Sequence, residues 1–344
     1  MIKVLVVDDS PFIRVALRKL LSSEGDIKVV GEASNGKEAV NKVKELKPDV
    51  VTLDVNMPIM DGLSALEEIK KECPECRVLM ISALTKEGAR ETIEALSRGA
   101  VDFIAKPEDY RELIAFKEEI VSKVRAAFEA KRKPTGGYTR SVLSDKRISF
   151  SRPPLVAIGI STGGPQTLNA VLPRIPSNFP SPLIIAIHMP DTFTSTFARH
   201  LNGLCSLPVK EAEEGETIKG GRVYVSRGRI HITLSGSPEK PVVKYIKDEN
   251  YIYKPSADLL FSSVARIFGS NSVAVVMTGM GNDGSKGICD IMRVGGVTVV
   301  EDPRTAILWA MPQSAINSGC VRYVVKKEEL PDLLTKLVGV AQSR

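Results

Sequence analysis

Apolar residues follow two rhythms along this chain. Short continuous runs at 2–8, 27–33, 49–54, 77–82 and 101–105 predict buried strands, while stretches at 12–22, 36–46, 63–72 and 86–98 repeat their apolar positions every three to four residues and predict amphipathic helices. Strand and helix alternating in this way predict a doubly wound parallel sheet. A last helix of this half is expected over 108–130, with Leu113, Ile114, Phe116, Ile120, Val121 and Val124 on its apolar face. The pattern then lapses. Lys131-Arg132-Lys133-Pro134-Thr135-Gly136-Gly137 and the polar residues up to Arg152-Pro153-Pro154 hold breakers and little periodicity, as a linker does. Alternation resumes with strands expected at 155–160, 183–188, 273–277, 297–300 and 321–325. Short alternating runs within 207–247, bounded by Gly and Pro, predict a β-hairpin insertion. The expected division is a first domain at 1–125, a linker at 126–152 and a second α/β domain at 153–344.

Length and composition agree with two soluble domains. The chain has 344 residues, 43% hydrophobic and 26% charged. No apolar stretch approaches the ~20 residues of a membrane span. The opening residues read as a strand rather than a secretory signal, so a cytoplasmic location without membrane insertion is expected. A net charge of +6 is dispersed, with no basic stripe interleaved with aromatics, which speaks against nucleic acid. Five cysteines, an odd number, argue against a disulfide framework, and Cys73-Pro74-Glu75-Cys76 reads as a chance pairing at a helix end.

Strand ends carry the chemistry. Asp8 and Asp9 close the first run, Asp54 closes the third and Lys106 follows the fifth, so all four converge on the carboxyl edge of one sheet. Three carboxylates can hold Mg²⁺, and Asp54 can become an acyl phosphate with Lys106 on the phosphoryl oxygens. Ser82, at the end of the fourth run, can offer a hydroxyl to that phosphate.

In the second half, Gly159-Ile160-Ser161-Thr162-Gly163 matches G-x-S-x-G between a strand and a helix opening near Pro165. Ser161 is thus a candidate nucleophile, although glycine-rich strand ends also cradle phosphates. Of three histidines, His231 reads as a strand surface residue, His200 as an ordinary helical position, and His188 closes an apolar strand. His188 is therefore the candidate base. Asp283, in the glycine-rich loop 278–284 after another strand, can orient the imidazole, or cap a helix starting at Ser285, or both. Backbone N–H groups near Met280 can face an oxyanion. Glu301-Asp302 ends a strand and could sit near the site, although solvated surface is the favoured reading, and Trp309 reads as core or cleft wall.

Two resemblances follow from these motifs. Asp8-Asp9-Ser10, Asp54 to Gly62, Ser82-Ala83 and Lys106-Pro107 resemble the flavodoxin-like (βα)5 receiver domain of response regulators. That resemblance implies a metal-ligating carbonyl at Asn56 and a switch aromatic at Phe103. Gly159 to Gly164, His188-Met189-Pro190, Met277 to Gly284 and Met311-Pro312, in that order after a receiver, resemble the CheB family of chemotaxis protein-glutamate methylesterases.

The family implies Ser161, His188 and Asp283 as the triad, with Thr162 and Met280 lining the site. It implies hydrolysis of glutamate methyl esters on chemoreceptors, deamidation of receptor glutamines, and phosphate supplied by a chemotaxis histidine kinase. It also implies that the unphosphorylated receiver covers the esterase cleft. Mg²⁺ is expected for phosphorylation, no cofactor for ester chemistry, and the chain is expected to be a monomer. Rival readings are another ester substrate, a non-catalytic adaptor, and a DNA-binding regulator. The last is disfavoured by the roughly 190 residues of α/β pattern after the linker, more than a helix-turn-helix output needs.

Overall fold

The computed structural model describes residues 1–83, 85–106, 113–130 and 149–339. Pro107 and most of the expected linker lie outside the described residues. The chain divides into two compact units, Met1–Arg132 and Lys133–Arg344.

The first unit contains β1 (Ile2–Val7), α1 (Pro11–Ser22), β2 (Ile27–Ala33), α2 (Gly36–Leu46), β3 (Val50–Asp54), α3 (Gly62–Glu72), β4 (Arg77–Ser82), α4 (Lys86–Ser97), β5 (Asp102–Ala105) and α5 (Leu113–Glu129). The strands run parallel in the order β2-β1-β3-β4-β5, the flavodoxin-like order expected. β3 is buried along its whole length, which is why it reads as a continuous apolar run rather than an alternation. Local signals set the helix starts. Ser10 precedes Pro11 and accepts the Ile13 N–H, Asn35 accepts from Glu38, and Asp61 accepts from Ser64 at 2.7 Å. α5 ends at Glu129, close to the end expected for the last helix of this half.

The second unit contains β6 (Leu155–Ile160), α6 (Gly164–Val171), β7 (Leu183–Ile187), α7 (Asp191–Leu204), β8 (Val209–Glu211), β9 (Val223–Val225), β10 (His231–Ser237), β11 (Lys240–Ile246), α8 (Ala257–Phe268) and β12 (Ser272–Val276). It closes with α9 (Gly287–Arg293), β13 (Val297–Glu301), α10 (Ala310–Asn317), β14 (Tyr323–Val325) and α11 (Leu330–Leu337). A seven-stranded parallel sheet has the order β14-β13-β12-β6-β7-β9-β8. The chain winds outward from β6 in one direction and from β12 in the other, so the crevice at the carboxyl ends of β6 and β12 is the switch point where such sheets bind ligands.

Only β10 and β11 form the expected hairpin. Val223-Tyr224-Val225, read from sequence as hairpin material, is instead a parallel strand against β7. Tyr224 is fully buried there, and its hydroxyl accepts the Lys219 N–H at 3.0 Å.

One covalent feature corrects the cysteine reading. Cys289, in α9, and Cys320, just before β14, form a disulfide, while Cys73, Cys76 and Cys205 remain thiols. An odd count guarantees one unpaired thiol but says nothing about any given pair. Removing the bridge, which closes 31 residues, is expected to cost about 3–4 kcal/mol by loop entropy. Denaturant unfolding with and without reductant measures it, and an unchanged midpoint would mean that the bridge contributes nothing.

Candidate active site and candidate phosphorylation site

In the first unit, β1 and β3 are neighbours, so Asp8, Asp9 and Asp54 share one edge; an oxygen from each lies within 4.8 Å of the others. Lys106 Nζ is 2.9 Å from both Asp8 Oδ2 and Asp54 Oδ2. Burial, only partly offset by Lys106, pushes the Asp54 carboxyl up to about 6. Burial also works against the Lys106 charge, but Asp54 and Asp8 more than compensate and hold its pKa above the usual value. One ammonium against three carboxylates leaves negative charge unbalanced among hard oxygen donors, a set that suits Mg²⁺.

The remaining residues of this edge are placed as follows. Among the described residues no donor takes the carbonyl of Asn56, whose side chain donates to Glu91 at 3.1 Å. The Ser82 hydroxyl, buried, donates to the Gly88 carbonyl at 3.2 Å. Phe103 is buried with the Lys123 ammonium 5.3 Å from its ring centroid.

In the second unit the site is assembled from three adjacent strands. Ile160 pairs with Ile187, so Ser161 and His188 occupy the next position on neighbouring strands, and the His188 N–H donates to the Ile160 carbonyl at 3.2 Å. On the other side, the Ser161 N–H donates to the Thr278 carbonyl at 2.9 Å. The turn takes its left-handed residue at Gly163, at +76°, and Ser161 does not have a positive φ. Gly159 serves close packing instead, since a Cβ there would lie 2.5 Å from that of Ala257. Among the described residues no acceptor takes the Thr162 N–H, and Met280 follows on the facing loop.

Asp283 is almost fully buried and accepts from five donors. His188 Nε2 lies 2.8 Å from Oδ2, which also takes the Ala257 N–H at 2.7 Å. Oδ1 takes the Ser256 hydroxyl at 2.9 Å and the N–H groups of Asp258 and Gly284, each at 3.1 Å. Burial alone would raise this carboxyl, but His188 and the N-terminal N–H groups of α8 offset it and hold Asp283 below its ordinary value. An ionised carboxylate ringed by donors requires the proton on Nε2 of His188. The free lone pair of that imidazole is therefore on Nδ1.

Asp283 thus caps α8 rather than the helix that follows it. That helix, α9, is capped by Asp258, which accepts from Lys286 and Gly287 at 2.9 and 2.7 Å. Two acids exchange helix termini, which ties the site's loop to α8. The Thr278 hydroxyl donates to the Thr162 carbonyl at 2.9 Å, and Met311 donates its N–H to Gly279 at 3.0 Å.

Residues 156–334 match the CheB methylesterase family and residues 4–117 the response regulator receiver domain. A Pyrococcus abyssi protein named protein-glutamate methylesterase/protein-glutamine glutaminase is 41% identical over 348 residues, covering 98% of this chain and 94% of the relative. The chain belongs to the CheB methylesterase family. A Thermotoga maritima protein of the same name is also 41% identical, over 98% of each chain. The crystal structure of the Thermotoga maritima CheB methylesterase catalytic domain superposes with a TM-score of 0.52 at 37% identity, over 54% of this chain and 98% of that domain. A receiver domain brings Mg²⁺-dependent phosphorylation with it. Among the described residues, no helix is long and apolar enough to cross a membrane.

Several residues at this family site were misread or missed from sequence. His231, expected on a strand surface, is fully buried: Asp248 and Tyr251 cover it, its Nε2 donates to the Asp248 carbonyl at 3.0 Å, and its Nδ1 accepts the Ser256 N–H at 3.1 Å. Tyr253 stacks on the His188 ring, centroids 5.1 Å apart and planes within 2°. No local pattern marks that residue; only Ser256, as the cap of α8, carried a readable signal. Glu301 and Asp302, expected in solvent, are buried. His200 is in α7, stacked near Phe197 as an ordinary helical residue, and Trp309 is half-buried at the start of α10.

Proposed function

We propose that this chain is a protein-glutamate methylesterase and protein-glutamine deamidase that acts on chemoreceptors in the cytoplasm, as a monomer, and is switched on by phosphorylation of Asp54. The observation that carries the reading is the charged Asp283 holding His188 beside Ser161, in a chain that belongs to the CheB methylesterase family. Ser161 Oγ attacks the ester carbonyl while His188 Nδ1 takes its proton. The carbonyl oxygen, now negative, is met by N–H groups of the Thr162 and Met280 segments. The imidazolium returns the proton to the departing methoxide, methanol leaves, and water repeats the sequence on the Ser161 ester to give free glutamate. On glutamine the same steps release ammonia, more slowly, because the amide nitrogen must be protonated to leave. Ester chemistry in this scheme uses no cofactor.

For control, Asp8, Asp9, Asp54 and the Asn56 carbonyl would hold Mg²⁺, whose role when bound is to neutralise phosphoryl charge. Lys106 and Ser82 engage the phosphoryl group, Phe103 repacks, and a chemotaxis histidine kinase is the donor. The working division is a receiver over 1–125, a linker over 126–152 and a catalytic domain over 153–344. No nucleic acid or membrane insertion takes part.

Acetyl phosphate with Mg²⁺ is expected to raise methanol release from methylated receptor membranes by roughly 5–150-fold, the range of a 1–3 kcal/mol coupling. Asp54→Asn should keep basal activity and lose the response. An enzyme phosphorylated at Asp54 that shows no rise would end the control reading.

A further inference from the structure

Glu301, at the end of β13, is a buried ionisable side chain that the chemistry above leaves unused. Its Oε2 accepts the Thr278 N–H at 2.8 Å, and its Oε1 accepts the Thr305 hydroxyl at 3.4 Å. Thr278 is in turn held at every polar atom. Its hydroxyl donates to the Thr162 carbonyl at 2.9 Å and accepts the Leu308 N–H at 2.9 Å, while its carbonyl takes the Ser161 N–H at 2.9 Å. One residue therefore grips the nucleophile turn on both sides of Ser161, and Glu301 grips that residue.

We propose that Glu301 is a positioning residue for the nucleophile turn, acting through Thr278 on Ser161 and Thr162. The inference rests on the reading of Ser161 as nucleophile. For folding alone a carboxylate is a poor choice here, because an amide would accept the same N–H without desolvating a charge. What the carboxylate adds is a stronger, charge-assisted hydrogen bond to the Thr278 N–H.

Among the described residues, the charged groups around Glu301 are few. Lys327, beyond β14, favours its ionised form and Glu328 opposes it; from the segment after β12 the Thr278 N–H donates to it. Asp302 and Arg304 are engaged with each other, and Lys326 acts on Asp302. Burial dominates and pushes the Glu301 carboxyl from 4.5 to about 7. The folded state thus holds a proton that the unfolded chain releases above pH 4.5, so stability is highest below that pH and falls as pH rises toward 7.

Glu301→Gln in the full chain separates positioning from support. At pH 8 we expect kcat for methanol release, and the rate at which a fluorophosphonate probe labels Ser161, to fall about tenfold with KM within about twofold. The melting temperature should rise by roughly 5–10 °C at pH 8 and change little at pH 5. Thr278→Val should reproduce the loss of labelling, and Thr278→Ser, which keeps the hydroxyl, should restore it. Unchanged or faster labelling in Glu301→Gln overturns the proposal. So does a parallel fall of activity and melting temperature, the mark of a merely supporting residue. If the wild type labels at Ser161 but releases no methanol from receptors, the substrate reading fails, and the labelling rates still decide the role of Glu301.

Discussion

Ser161→Ala is expected to lower kcat for methyl-ester hydrolysis by about 10⁶-fold, the scale on which a serine hydrolase loses its nucleophile. The substitution should be nearly silent for folding. Among the described residues the Ser161 hydroxyl makes no hydrogen bond, and only the backbone of this residue is tied, through its N–H to Thr278 and its carbonyl to the Gly164 N–H at 2.7 Å. Stability should therefore stay within about 0.5 kcal/mol of wild type, measured by thermal unfolding. Adding His188→Ala to the same chain should deepen the defect little, because nucleophile and base act as one unit. Methanol release within tenfold of wild type in Ser161→Ala would remove the serine from the chemistry and leave the adaptor reading, or another hydrolytic centre, to account for the chain.

Asp283→Asn is expected to lower kcat by about 10⁴-fold, for a reason particular to this site. The carboxylate presents acceptors to five donors, two on Oδ2 and three on Oδ1. An amide nitrogen on the Oδ2 side would meet the Ala257 N–H and push the imidazole into the tautomer with its proton on Nδ1, where the base is needed. On the Oδ1 side it would face the Ser256 hydroxyl and two N–H groups. Either orientation leaves buried donors unpaired, at about 1–3 kcal/mol. Asp283→Asn should thus lose both rate and stability, in contrast to Ser161→Ala. Melting curves beside steady-state kinetics separate the two, and a variant with full stability and wild-type kcat would mean that the carboxylate does not orient His188.

Much of the fold was legible because its signals are local. Strands buried on both faces in a parallel sheet are mostly apolar, so β3, β6, β7, β12 and β13 stand out as runs with few polar residues. Caps at Ser10, Asn35, Asp61 and Ser256 announce helices within a residue or two of where they start. The ordering of those elements brings Asp8, Asp54 and Lys106 to one edge and Ser161 and His188 to another, since parallel strands end on the same side.

Contacts between distant segments were not legible. His231 alternates like a surface residue, and only the loop carrying Asp248 and Tyr251 buries it. Glu301-Asp302 is polar enough for solvent, but Thr278, after β12, and the turn at Thr305 hold Glu301. Cys289, in α9, and Cys320, before β14, meet across a sequence separation of 31, which parity cannot foresee. Asp283 was open to orienting the imidazole, capping its own helix, or both; the helix it caps is α8, while Asp258 caps α9. Sequence by itself determined the alternation of elements, the sheet edges and the residue types that gather there, because periodicity and capping act over a few neighbouring residues. Tertiary structure alone decided which nitrogen of His188 faces Asp283, which helix steadies Asp283 and which polar side chains are sealed from water, because those depend on donors and walls supplied from far along the chain.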